Sequence, residues 1–402
     1  MEYSTLSVSL TSAIDKADKK SNGIYFTPPQ TVQMNLKRLK PYMKNVKTIL
    51  EPSCGSCEYI SQLKTRANVE ITGMELNKTI FESIHPMEQD NLKLIHDDYL
   101  RHDFGTKTFD LIIGNPPYFV MTKKDVHKKY LDYFDGRPNI FVLFIIKSLE
   151  LLNTNGILSF VLPRNFLNCL YYDKTRKYIY ENFHILDIME CHDDYIETQQ
   201  DTIILIIQKK KGKKKNDTFS LSISSFTIFG TPSNMKKLNT LYSGSTSLAN
   251  LGFRVSVGKV VWNQCKPQLT DDESKTLLVY SSDIKDNKLS IQKYKNEAKK
   301  NYIDKPGSTT PLLVINRGYG VGMYSFNYCI INETDTREYL IENHLICIEH
   351  IESIPNDELI QKYKRVIQSF ENEKTVEFIQ MYFGNNAINT TELCNMLPIY
   401  DV

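Results

Sequence analysis

The chain has 402 residues, 41% of them apolar and 24% charged, a balance that excludes disordered and fibrous classes and allows two domains with sizeable cores. Its formal charge of +2 is too small to argue for nucleic-acid binding by itself, so local charge has to carry any such reading. The longest apolar runs, "IFVLFII" at 140–146 and "IILII" at 203–207, are far too short to span a bilayer. The N-terminus also lacks the basic region and apolar stretch of a secretory signal. The expectation is a protein that stays in the cytoplasm with its eight cysteines reduced. Cys54 and Cys57 have C-x-x-C spacing, but no second pair accompanies them, and zinc needs four ligands. They read as two small thiols in a tight turn, and no metal is expected.

In chain order, β-branched or apolar runs alternate with helical patterns from Val46 to about Phe226: "VKTIL", "VEITGM", "NLKLI", "FDLIIG", "GILSFVL", "FHILDIM", "DTIILIIQ" and "FSLSISSF". Alternating strands and helices predict a doubly wound, mostly parallel α/β sheet covered on both faces, with the last strands antiparallel at one edge. Beyond residue 228 the pattern changes to Gly- and Tyr-dotted segments such as "GFRVSVGKVVW" and "PLLVINRGYGVGMYSF", followed by a helical tail. This predicts a first domain over 1–228 and a second, mixed α+β domain over 229–402. The stretch 229–249 reads as a linking helix, and "KKKGKKK" at 209–215 as a solvated hairpin loop.

Doubly wound sheets bind ligands at the carboxyl ends of their strands, so the loops after the first four strands carry the functional reading. The first, "EPSCGSCEYI" at 51–60, leads into a helix whose first N–H groups face a ligand, and with so few glycines it suits a carboxylate better than a pyrophosphate. After the second strand, Glu75 lies about 20 residues beyond that turn, the spacing at which such sheets set an acid on ribose hydroxyls. After the third, "IHDDYL" offers Asp97 or Asp98 to accept from an exocyclic amine, with Tyr99 to pack on an adenine face. After the fourth comes "NPPY", 115–118. Two prolines remove two donors and force an extended path, so Asn115 presents its acceptor oxygen rigidly beside the flat face of Tyr118. That pair suits a planar group with an NH₂, gripped at its edge and stacked from its side.

The ordered segments "GIYFTP" (23–28), "EPSCGS" (51–56), "GMEL" (73–76), "HDDYL" (96–100), "NPPY" (115–118), "NIFVLFIIKSLELL" (139–152), "GILSFVLP" (156–163) and "QQDTIILIIQKK" (199–210) resemble the gamma-class N6-adenine DNA methyltransferases of type II restriction–modification systems. The resemblance covers roughly the first half of the chain, and "GFRVSVGKVVWN" (252–263) is similar to the start of that family's target recognition domain. It implies a Rossmann-like class I fold and S-adenosylmethionine as cofactor. Thr27, Pro28 and the loop Glu51, Pro52, Cys54, Gly55 would lie around the methionine part, Glu75 on the ribose, and Asp98 and Tyr99 at the adenine. It further implies that the target adenine is flipped out of double-stranded DNA. Asn115 and the Pro116 carbonyl would then accept its two N–H protons, with Tyr118 stacked on the ring. Opposite Tyr118 the family often has a second aromatic, for which Tyr195 is the nearest candidate and Ile196 competes. The chain departs from the family at Ser56 or Cys57, where a second glycine is more usual.

Reading DNA requires basic residues for phosphates and polar or aromatic side chains for base edges. The second domain offers Arg254, Lys259, Trp262, Asn263, Lys266, Arg317, Tyr319 and Tyr324. A protein glutamine amide presents an NH₂ of similar geometry, and enzymes acting on it share Asn-Pro-Pro-Tyr; RNA adenine is equally open to the same stacking. The long segment after the sheet favours DNA. A monomer is expected, with a cognate restriction endonuclease acting on the same site as a possible partner.

Overall fold

The computed structural model describes residues 2–66, 68–192, 195–198, 200–212, 216–318, 324–383 and 388–400. The chain forms two compact units, Met1–Met235 and Lys236–Val402. The break falls inside a helix, Pro232–Tyr242, rather than at residue 228. The linking helix expected over 229–249 is therefore present, and the units divide within it.

In the first unit three helices, α1 (Thr5–Ala13), α2 (Lys16–Asn22) and α3 (Pro29–Leu39), precede a seven-stranded sheet. Its strands are β1 (Thr48–Glu51), β2 (Glu70–Glu75), β3 (Leu92–His96), β4 (Phe109–Gly114), β5 (Leu152–Pro163), β6 (His184–Cys191) and β7 (Thr202–Gln208), interleaved with α4 (Glu58–Leu63), α5 (Lys78–Ile84), α6 (Ile140–Leu151) and α7 (Asp173–Asn182). The spatial order is β3-β2-β1-β4-β5-β7-β6. β1 to β5 pair in parallel, whereas β7 runs antiparallel to both β5 and β6. The eighth predicted strand is not in this sheet: Ser220–Ile223 pairs only with Phe226–Phe229, as a separate hairpin. Its run alternates apolar and polar residues, the pattern of a two-stranded ribbon with one covered face.

Why the sheet is covered on both faces is visible in the strands. β7 is buried along nearly its whole length, and successive residues of β1 and β4 feed opposite cores. Leu50 and Ile112 pack on the side that contains α6; Ile49, Leu111 and Ile113 pack on the side that contains α4 and α5. α6 itself, "IFVLFIIKSLEL", is apolar around most of its circumference because it lies under other chain on most sides, buried from Ile140 to Leu149.

The chain steps outward from β1 to β3 and then returns to place β4 on the other side of β1. That reversal leaves the loops after β1 and β4 side by side at a switch-point crevice. The lysine run begins with Lys209, whose ammonium caps α6 by donating to the Leu152 carbonyl (2.9 Å) and to those of Leu149 and Glu150. Lys213, Lys214 and Lys215 lie outside the described residues.

The second unit holds two four-stranded sheets and a helical tail. One sheet is antiparallel, in the order Phe253–Val257, Leu345–His350, Leu312–Asn316, Tyr328–Ile331. The other has Leu269–Thr270, Tyr302–Ile303, Thr276–Val279 and Tyr339–Ile341 in that order. Helices Asn356–Phe370 and Glu373–Tyr382 follow, and Phe370 stacks on Phe326 with ring centres 4.1 Å apart. Among the described residues, no helix is long and apolar enough to cross a membrane.

Arg176, fully buried in α7, organises the chain that leaves β5. It donates to the carbonyls of Phe166 (2.9 Å), Cys169 (2.8 Å) and Thr227 and lies 3.7 Å from the Asp173 carboxylate, which in turn accepts from the Thr227 N–H (2.7 Å). Arg176→Met would leave these buried carbonyls without their donor, and Asp173 with Lys177 (2.8 Å) as its remaining cation, so it is expected to destabilise the first unit by at least about 3 kcal/mol. A urea midpoint within error of the parent would contradict this.

Candidate active site

Four strand ends and the segment before α3 meet around a cavity of 360 Å³, within the usual range of small-molecule sites, roughly 300–1,000 Å³. Pro52, Ser53 and Gly55 line it after β1, Glu75, Leu76 and Asn77 after β2, Asp97, Asp98 and Tyr99 after β3, and Asn115, Pro117 and Phe119 after β4. Ile140 and Phe144 of α6 close one wall, and Asn22 to Phe26 close another.

Glu75 ties the first two loops together. It is 8% exposed, with one carboxylate oxygen accepting from the Gly55 N–H (3.0 Å) and the other from the Asn77 N–H (2.7 Å). Burial pushes its pKa up, and these N–H bonds pull the other way. Each oxygen retains a second lone pair for a ligand hydroxyl.

After β3 the two aspartates differ. Asp97 accepts from its neighbour's N–H (2.7 Å) and meets His102 Nδ1 at 2.7 Å, and the bond to His102 holds its carboxyl below the usual range. Asp98 accepts from the Leu100 N–H on one oxygen (2.9 Å), and its other oxygen has only Arg101, at 3.4 Å. Tyr99 borders the cavity, yet its ring belongs to the core. It is 2% exposed, lies 4.8 Å from the ring of Phe144, and its hydroxyl is bonded to Ser148 (2.8 Å).

Asn115 has its amide direction set from two sides. Its Nδ2 donates to the Tyr25 carbonyl (3.4 Å), and its Oδ1 accepts from the Tyr118 hydroxyl (2.5 Å), which also lies 2.8 Å from the Val161 carbonyl. Ser53 donates to the Asn115 carbonyl (3.1 Å). Pro116 is buried and Tyr118 half-buried, with the Tyr118 ring edge-on to Phe141. Tyr195 is 7% exposed, and its hydroxyl has no hydrogen-bond partner; burial raises its pKa, with Asn115 and Thr202 among the groups acting on it. Ile196 is exposed.

Four residues expected around the cofactor stand behind the wall. Thr27, Pro28, Glu51 and Cys54 are buried and do not line the cavity. A hydrogen bond with the free thiol of Cys57, together with burial, raises the pKa of Cys54. Cys57 takes the left-handed conformation, φ 61°, at a position where glycine is the easier residue. Glu51 is 3% exposed, and one of its oxygens has no partner. Burial, with Cys57 adding to it, raises its pKa well above the ordinary range.

Sequence reasoning missed Gly23, the left-handed C-cap of α2. A Cβ there would stand 2.7 Å from the Tyr118 backbone nitrogen; the signal was a glycine ending a short polar helix. Asn22, Ile24, Tyr25 and Phe26 line the cavity too, whereas the segment "GIYFTP" was read for the cofactor only at Thr27 and Pro28. In the second unit Arg254 pairs with Glu349 (2.6 Å), Lys259, Asn263, Lys266 and Arg317 are exposed, and Trp262 is half-buried. Tyr324, expected among the residues that read DNA, is 5% exposed with its hydroxyl on the Asn316 carbonyl (2.9 Å), and so is a core residue. Tyr319 lies outside the described residues.

The lining suits an adenosine with a cationic end better than a phosphate. Glu75 and Asp98 offer acceptors to hydroxyls and an amine, apolar groups flank them, and among the described lining residues Lys78 is the one cation. The sheet order with its antiparallel β7 and this site define a class I S-adenosylmethionine-dependent methyltransferase. The profile of the Eco57I restriction-modification methylase family matches residues 8–196. Two relatives align over nearly the whole length: the type II methyltransferase M.CvrRI of Paramecium bursaria Chlorella virus XZ-6E, 28% identical over 98% of both chains, and the modification methylase CviBIII of Paramecium bursaria Chlorella virus NC1A, 26% identical over 99% of both. Among solved structures, the DrdV–DNA complex shares the fold over 98% of this chain and 57% of its own, at a TM-score of 0.53 and 12% identity. In sequence the chain is thus similar to methyltransferases of the type II restriction–modification kind.

Two measurements check this geometry. Gly23 and Gly105 share a positive φ (64° and 57°), but a Cβ at Gly105 meets nothing within 4 Å. Gly23→Ala is therefore expected to slow methyl transfer by about a hundredfold through displacement of Tyr118, and Gly105→Ala to leave it within about twofold; equal effects would contradict this. For Glu51, the folded chain keeps a proton that the unfolded chain gives up in the ordinary carboxylate range. Its contribution is fully present below that range and declines as pH rises through the raised pKa. In cofactor-free protein, Glu51→Gln should remove that part of the decline in the urea midpoint, and parallel profiles would contradict it.

Proposed function

We propose that this chain is a site-specific DNA methyltransferase that methylates N6 of adenine in double-stranded DNA (EC 2.1.1.72). What carries the reading is Asn115: its amide is oriented by Tyr25 and Tyr118 at the rim of an acid-lined adenosine-sized cavity. S-adenosylmethionine, bound in that cavity, supplies an electrophilic methyl group on a sulfonium. Glu75 would take the ribose hydroxyls and Asp98 the adenine amine, while the turn Pro52, Cys54, Gly55, with Glu51, Thr27 and Pro28 behind it, shapes the methionine end.

The target amine has to be drawn out of the stack, because in the duplex it is not open to in-line attack. Asn115 Oδ1 and the Pro116 carbonyl accept hydrogen bonds from its two N–H groups, which leaves the nitrogen lone pair directed at the methyl, and the methylated nitrogen then releases one proton to solvent. Tyr118 stacks on the base, and Tyr195 is the residue proposed opposite it. Because Tyr99 has its ring in the core, we assign the apolar packing on the cofactor's adenine to Ile140 and Phe144 as well. The second unit reads the target, with Arg254, Lys259, Trp262, Asn263, Arg317 and Tyr319 as the contacting set. A monomer and a cognate endonuclease complete the reading.

Asn115→Ala removes the acceptor but not the cavity. With tritiated cofactor and unmethylated DNA, digested to nucleosides, the parent is expected to label N6-methyladenosine of the deoxy series. The variant should fall by about a thousandfold or more while binding cofactor and DNA within about threefold of the parent. Retained transfer in the variant would sink the mechanism.

A further inference from the structure

α6 carries a buried lysine that none of the steps above uses. Lys147 is 7% exposed and forms no ion pair among the described residues. It donates to the Tyr99 carbonyl (2.5 Å) and the His102 carbonyl (2.7 Å), and its ammonium lies 5.1 Å from the centre of the Tyr99 ring and 5.5 Å from that of Phe104. An ammonium so placed is expensive to desolvate, and burial lowers its pKa. A methionine would fill the same space without that penalty, so what distinguishes the lysine is the pair of carbonyls it holds.

Those carbonyls belong to the turn that presents Asp98, one directly after it and the other at the turn's end. Within it, the Asp98 carbonyl accepts from the N–H groups of Arg101 (3.0 Å) and His102 (2.8 Å), and the Asp98 side chain accepts from Leu100 (2.9 Å). The turn thus closes on itself but is attached to the rest of the fold through α6. Lys147 grips its backbone, and the next residue, Ser148, holds the Tyr99 hydroxyl. On the same helix, one and two turns earlier, Phe144 and Ile140 form the cavity wall.

We propose that Lys147 is a positioning residue for recognition of the cofactor's adenine: by fixing the carbonyls of Tyr99 and His102 it sets where the Asp98 carboxylate stands relative to the α6 wall. It does not touch the cofactor. The inference rests on the reading of this cavity as the S-adenosylmethionine site with Asp98 on the 6-amine. Its consequence is selectivity for that amine, which a lysine that merely stabilised the fold would not control.

The test compares binding of S-adenosylhomocysteine with that of S-inosylhomocysteine, in which oxygen replaces the 6-amine, by calorimetry on the full chain. The parent is expected to prefer the adenosyl ligand by about a hundredfold or more, and Asp98→Ala to lose that preference. Lys147→Met should reduce it by at least about tenfold with an unchanged circular dichroism spectrum, and Lys147→Arg, which keeps charge and donors, should restore most of it. If Lys147→Met does not fold, Lys147→Gln is measured in the same way. Full preference in a folded Lys147→Met or Lys147→Gln protein overturns the positioning role. Full preference in Asp98→Ala would instead overturn the assignment of Asp98, so the two failures are distinguishable.

Discussion

Where parallel strands end, their loops hold backbone N–H and C=O groups that no ladder satisfies, and burying such groups unpaired costs about 1–3 kcal/mol each. In this chain the loops satisfy one another. Glu75, at the end of β2, takes the N–H of Gly55 in the loop after β1. Asn115, after β4, donates to the Tyr25 carbonyl before α3. Lys147, on α6, takes two carbonyls of the turn after β3. The same bonds that remove unpaired groups therefore fix four loops and one N-terminal segment around a single cavity, before any ligand arrives.

Preorganisation of this kind fits the chemistry proposed. Transfer from a sulfonium needs little from acids or bases, and alignment of the acceptor nitrogen supplies most of what a protein can add. Two prolines fix the path of the Asn115–Tyr118 loop, and Gly23 allows the N-terminal segment to pass within contact distance of it. The loop is thus held from below by its own strand and from outside by a segment about 90 residues earlier in the chain. The acids around the cavity are likewise held in place by backbone donors, so they can accept from a ligand without rearranging.

Much of the sheet was legible in the sequence because period and length both spoke: seven apolar or β-branched runs became the seven strands. Antiparallel pairing was expected at an edge, whereas the reversed strand β7 is inserted between β5 and β6. The acids after β2 and β3 and the Asn-Pro-Pro-Tyr turn were legible for a related reason, since each sits at a strand's end. What escaped depended on contacts between distant segments. The motif at 23–28 pointed to Thr27 and Pro28, whereas residues 22–26 form the wall, and nothing in "IIKSLELL" says that Lys147 faces a turn 45 residues earlier. Tyr99 reads as a stacking ring, yet Ser148 and Phe144 draw it into the core. Tyr324 reads as an exposed aromatic in a Gly-rich loop, and its hydroxyl instead satisfies Asn316. The run at 219–226 has the composition of a strand, and only its partner shows that it lies outside the main sheet.

The central claim is that the acceptor held by Asn115 is the N6 amine of adenine within a defined DNA sequence. Its most direct test is to incubate the purified protein with S-adenosylmethionine and unmethylated genomic DNA, then read modified bases at single-nucleotide resolution. The account predicts N6-methyladenine at one position of one short motif, in essentially every copy of that motif. Modification confined to cytosine, or methyl transfer to RNA or to a protein glutamine with none to DNA, would contradict it.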